Sequence, residues 1–215
     1  MMFHTNVPIH TVSLSEQVYI SIKKAILKGE FPPGYRLLVM DIAKKYEISQ
    51  APVREALERL KQEGLIIGKT NKGSVVSDIT LKEIKDVYEF RTLVEGHAVR
   101  EAMKVMNAND LSYLENIVHG MRKAIDEKDP FQLVELDMRF HGFFYERCNN
   151  HLFVDIWKNI RTKIMRFISI TNQHIPNDEI VEGHRELLEI IKTGNAEEAA
   201  TKCVDGFQFY KEYTG

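Results

Sequence analysis

Ile48-Ser-Gln-Ala-Pro-Val-Arg-Glu-Ala-Leu-Glu-Arg-Leu-Lys-Gln-Glu-Gly-Leu65 is the stretch on which the fold turns. Ser49 is a good helix N-cap, because its hydroxyl can accept a bond from a free first-turn N–H. Pro52 is tolerated just inside, where the N–H it lacks has no helical partner anyway. Val53, Ala56, Leu57 and Leu60 recur at helical spacing and mark a buried face, and Gly64 closes the helix. Gln50 and Arg54, four residues apart, are left on the outward side of its first turns.

Working outward, the spacing predicts a short helix over about 39–46, with Ile42, Ala43 and Tyr46 inward and a turn at Glu47-Ile48. An earlier helix opens on Ser13 and Glu16, three apart as in a capping box, and carries Leu14, Val18, Ile22 and Ile26 before Gly29. Phe31-Pro-Pro-Gly34 cannot continue it, since proline removes a donor and clashes with the preceding turn. On the other side, Leu65–Ile67 and Ser74–Val76 flank a glycine-containing basic tip, which reads as a hairpin. Three helices followed by a hairpin make a winged helix-turn-helix, whose third helix enters the DNA major groove. Arg54 can then bond guanine O6 and N7, and Gln50 adenine N6 and N7. Ser49 can donate to phosphate at the helix start, and Lys72 and Gly73 sit at the wing tip.

After Asp78 the periodicity is helical throughout. Thr80 and Glu83 form a second capping box, and six stripes follow with short connections, as in a compact antiparallel bundle. The fold is therefore read as mainly α, with a winged head over 12–78 and a bundle of about six helices over 79–213. Polar residues interrupt the bundle's apolar stripes. Asp137 and His141, one turn apart, share a face with Leu133, Phe140 and Phe144. His184 lies among Ile180, Leu187 and Leu188, and Arg91 among Ile84 and Tyr88. Burying such groups unpaired is unfavourable, so they meet one another, a metal or a ligand. One Asp and two His supply oxygen and nitrogen ligands for zinc, nickel or manganese. A plain hydrogen-bonded Asp–His pair fits the same spacing, as does a structural pair of Arg91 with Glu95.

Composition bounds these readings. The 215 residues carry a net charge of −2, but the split is uneven: residues 12–78 sum to +3 and 79–215 to −5. A basic head on an acidic body suits phosphate contact by the head alone. No apolar run reaches the roughly 18 residues that a membrane span needs. The N-terminus lacks the pattern of a secretory signal, and Cys148 and Cys203 read as reduced thiols, which together point to the cytoplasm. An enzyme is the alternative class, a metal-dependent helical bundle. No His follows a Glu by three residues, there is no His-Glu-x-x-His or Gly-x-Ser-x-Gly, and Gly68–Gly73 is followed by Ser74 rather than Lys.

The head resembles the GntR-type regulators in Gly29-x-Phe-x-Pro-Gly-x-x-Leu37, in Ser49-x-x-Pro-Val-Arg-Glu-Ala-Leu57 and in Leu60-x-x-Glu-Gly-Leu65. The resemblance implies that Arg36, Gln50, Arg54 and Gly73 lie at or near operator DNA, with Gln50 where the family usually has Arg. The body resembles the FadR C-terminal (FCD) effector domain in Leu136-Asp-Met-Arg-Phe-His141, Asn150-His-Leu-Phe153 and Glu182-Gly-His184 onward to Asn195. This implies a homodimeric regulator of the FadR subfamily that binds double-stranded operator DNA, probes for a small carboxylate effector and commonly represses. It also implies a metal held by Asp137, His141 and His184, with Arg91 in the effector pocket. The family's fourth ligand falls on Gly206, which has no side chain. Two possibilities stay open: a three-ligand metal with open positions, or a metal-free pocket working by hydrogen bonds and charge.

Overall fold

The computed structural model describes residues 12–69, 73–171 and 177–207. The chain divides into two compact units at Asp78/Ile79. The first holds α1 (Leu14–Leu27), β1 (Arg36–Leu37), α2 (Val39–Lys45), α3 (Gln50–Gln62), β2 (Ile66–Lys69) and β3 (Gly73–Val76). Val18, Ile22 and Ile26 of α1 and Val53, Ala56, Leu57 and Leu60 of α3 are buried, and the two helices pack on each other. Polar contacts reinforce that packing. Lys23 Nζ lies 2.6 Å from Glu63 Oε2, and the Arg59 guanidinium stacks 3.9 Å over the Tyr19 ring.

Five local readings need correction. Ser13 caps α1 by accepting from Glu16 N–H, but the Glu16 carboxylate does not reach back; it pairs with Arg59 of α3, a stronger charged partner. Ser49 is the N-cap of α3 but makes no side-chain capping bond. Tyr46 was expected inward and is 38% exposed, its hydroxyl 2.6 Å from Ser21 Oγ. The reason is that α2 stops at Lys45, so Tyr46 leaves the helical face as C-cap. Finally, the hairpin is part of a three-stranded sheet of order β1-β3-β2, with Arg36 opposite Val75 and Ile67 also opposite Val75 from the other side. Strand β1 has two residues, too few to show a period of two in the sequence. Leu65 precedes β2 rather than opening it.

The second unit is a bundle of α4 (Leu81–Met103), α5 (Ala108–Asp126), α6 (Pro130–Arg147), α7 (His151–Thr171), α8 (Asn177–Thr193) and α9 (Ala196–Asp205). Both arms of the Thr80–Glu83 capping box form at α4. Asp129 caps α6 through Gln132 N–H, with Pro130 at the first helical position. α4 packs on α6, α7 and α9, α5 on α6 and α8, and α8 on α9. α6 and α7 meet where the Trp157 ring fills the space of a side chain at Gly142; a Cβ there would lie 2.5 Å from Trp157 Nε1. Among the described residues, no helix is long and apolar enough to cross a membrane.

Candidate functional site

Each unit carries a candidate site. In the head, α3 presents Ser49, Gln50 and Arg54 to solvent while its opposite face is buried. Arg54 Nη2 donates to Gln50 Oε1 at 2.9 Å, so the two side chains form one polar surface on the first turns of α3. Arg36 is exposed on β1. Gly73 begins β3 at φ +71°, a left-handed conformation that L side chains rarely adopt, 3.4 Å from Leu38 Cδ2 at the position of its missing Cβ. Lys72 lies outside the described residues.

In the bundle, α6 and α8 bring together the three residues expected as ligands. Ligating atoms of Asp137, His141 and His184 all lie within 4.8 Å of one another. His184 Nδ1 sits 2.7 Å from the Ile180 carbonyl oxygen one turn back. A carbonyl only accepts, so Nδ1 carries the proton and the neutral ring's lone pair is on Nε2. Nε2 is buried, 3.1 Å from Asp137 Oδ1, yet makes no hydrogen bond with any partner among the described residues. Two acceptors at that separation need a proton or a cation between them. Burial by itself lowers the His184 pKa, but the Asp137 carboxylate outweighs it and the net shift is upward. Burial raises that of Asp137, but the two imidazoles and Arg91 draw it down.

His141 faces both ways. Its Nε2 is 3.7 Å from Asp137 Oδ1, and its Nδ1 contacts Glu95 Oε1. A carboxylate behind a histidine fixes the tautomer that leaves Nε2 as ligand. Glu95, wholly buried, also receives Arg91 Nε at 2.8 Å, Arg91 Nη2 at 3.1 Å and the Tyr145 hydroxyl at 3.0 Å. Desolvation pushes the Glu95 pKa up, but Arg91 and His141 outweigh it and bring the carboxyl to about 2. The Arg91 guanidinium lies 4.0 Å over the Phe207 ring. Arg91 therefore lines the cavity with its fork already committed to Glu95, the pairing that its spacing allowed.

Glu95, Tyr145 and Cys203 were not singled out from the sequence as site residues. Cys203 Sγ is 3.7 Å from Glu95 Oε1 and 3.9 Å from His141 Nδ1. The signal for Tyr145 was its place one turn after His141, and for Glu95 one turn after Arg91. Cys203 shares a helical face with Gly206. Gly206 lines the cavity and offers no donor.

The donor set fits a divalent metal. Ligands about 2.0–2.2 Å from one ion sit roughly 3–3.5 Å apart; Asp137 Oδ1 is 3.1 Å from His184 Nε2, within that range, and 3.7 Å from His141 Nε2, slightly beyond it. Each ring's other nitrogen is engaged, by Glu95 and by Ile180. The buried cluster of Asp137, His141 and His184 can thus coordinate a divalent cation, as can Glu95, His141 and Cys203 by composition.

The FCD domain family matches residues 86–205, and the bacterial regulatory proteins of the gntR family match 14–76. The chain is a GntR-family regulator with an FCD domain. Similar proteins include the HTH-type transcriptional repressor RspR of Escherichia coli, 25% identical over 193 residues, 88% of this chain and 85% of that one. The gluconate operon transcriptional repressor of Bacillus subtilis is 26% identical over 187 residues, 84% of this chain and 76% of that one. The solved structure of Escherichia coli McbR/YncC superposes with a TM-score of 0.80 at 22% identity, over 94% of this chain and all of that one, which shows the shared fold. The FCD domain is thus the bundle that holds the Asp137–His141–His184 cluster, and the gntR match covers the winged helix-turn-helix.

Proposed function

We propose that this regulator is a FadR-subfamily repressor whose operator affinity is set by a small organic acid bound in the FCD domain beside a divalent metal. One observation carries the reading: Asp137 Oδ1 and His184 Nε2 face each other 3.1 Å apart without a hydrogen bond, with His141 Nε2 beside them, in the lining of a cavity. Asp137, His141 and His184 would hold the ion, which supplies positive charge and open positions for an acidic group. Glu95 orients His141, and Arg91 holds Glu95. The head contacts DNA through Arg36, Ser49, Gln50, Arg54, Lys72 and Gly73, and two heads of a homodimer match a pseudo-palindromic operator. The repressors of similar sequence support the sign of regulation.

Elemental analysis tests the site. Protein purified without a nickel column or chelator is expected to carry about one equivalent of zinc, nickel or manganese, and His184→Ala to carry none. Wild-type protein that takes up no metal after incubation with all three would overturn the metal half of the reading.

A further inference from the structure

The cavity that ends at Asp137, His141 and His184 has a volume of about 230 Å³. Its chemistry is segregated. Its buried charged and imidazole groups cluster together: Asp137, the two imidazoles, and Arg91, whose fork is closed on Glu95. The rest of the wall among the described residues is mostly apolar, built from Leu133, Val134, Ile168, Ile180, Leu187 and Phe207 with Tyr88 and Cys203, and its charged members outside the cluster are the exposed Glu179 and the half-buried Lys202. Lys202 contacts Glu186. Two glycines complete the wall. Among the described residues, a Cβ at Gly183 would meet nothing within 4 Å, and one at Gly206 would meet only carbonyl oxygens of its own helix, at 3.4 and 3.8 Å. Neither has a positive φ, so neither is required by the backbone. Both leave room.

From this segregation we infer that the effector is a compact monocarboxylate with an apolar body, about the size of benzoate, and not a polyhydroxylated sugar acid. The inference rests on the proposed effector site and adds the chemical class of its ligand. An apolar cavity of about 150 Å³ holds benzene. The volume here adds space for one carboxylate. The acid head belongs at the Asp137–His141–His184 cluster, where buried polar groups converge, and the body lies along the leucine, valine, isoleucine and phenylalanine wall. A sugar acid would bring a hydroxyl on nearly every carbon to that wall. Each hydroxyl buried against those apolar side chains would lose its water without gaining a partner from them. Discrimination by such a wall is on the order of a hundredfold.

The experiment is calorimetric titration of the full-length protein, with zinc and with zinc removed by chelator, using benzoate and gluconate as probes. Zinc-loaded protein is expected to bind benzoate about a hundredfold more tightly than gluconate. Gly206→Leu and Gly183→Leu, each adding bulk at the cavity lining, are expected to abolish benzoate binding while keeping the zinc content of the wild type. Circular dichroism confirms that they fold; if one does not, the other carries the test. Gluconate bound as tightly as benzoate, or benzoate not bound at all, would overturn the inference and leave the metal reading standing where zinc is retained. Benzoate bound equally with and without zinc would support the apolar-acid inference and count against the metal's part in the proposed function. Unchanged benzoate affinity in both folded glycine variants would show that the body does not occupy this cavity.

Discussion

At the residue scale, the chemistry of the bundle is governed by who holds whom. Glu95 is wholly buried and is contacted by Arg91, Tyr145 and His141 together. Removing one partner of such a pair leaves the other charge buried and unmatched. Glu95→Ala is therefore expected to lower unfolding free energy by about 3–5 kcal/mol, read from urea denaturation. A loss below about 1 kcal/mol would mean that water reaches Arg91 far more than its 2% exposure allows. Gly206 has helical φ and ψ and open space over it, so a side chain is tolerated. Gly206→His places a nitrogen donor on the wall that the cluster shares. Zinc affinity is expected to rise on the order of tenfold or more, measured by competition with a chromogenic chelator. An unchanged affinity would place the metal out of reach of α9.

At the scale of elements, α3 illustrates how one helix serves core and partner at once. Its buried face is apolar and complete, so changes on its exposed face leave the fold intact. Arg54→Ala is expected to weaken binding to the specific operator by about 1–3 kcal/mol, with little change on unrelated DNA. A mobility-shift comparison of the two DNAs at one salt concentration would reveal it. An equal loss on both would make Arg54 a phosphate contact instead. The elements also mark where sequence reading is strong. Every residue expected on the inner face of α3 is buried, because a helix period repeated over three turns overrides local noise. The two-residue β1 was missed because its stability comes from β3 alone, a partner nearly forty positions away.

At the scale of the whole molecule, the FCD domain folds around a charged network, and this links stability to pH. Glu95 titrates near 2 when folded, against 4.5 for the unperturbed group. Its depressed value means stability that is fully present above about pH 4.5 and is lost as pH falls toward 2. The size by linkage is roughly 2–4 kcal/mol. Metal-free protein is expected to lose melting temperature steeply across that window, followed by calorimetry of the bundle's transition. A transition temperature that stays level down to pH 3 would show that Glu95 is not held as an anion by Arg91 and His141.

By itself the sequence determined the two-part order of the chain, the winged helix-turn-helix, the six helices of the bundle and the inward placement of Asp137, His141 and His184. Each of these follows from local periodicity, capping and spacing, which a chain carries whatever its partners are. The tertiary structure decided the rest. Whether Arg91 faces a ligand or Glu95, whether Cys203 touches the cluster, and what Gly206 leaves open depend on contacts between helices far apart in sequence. A buried charge takes the partner that packing brings to it, and no spacing along one helix records what the next helix supplies.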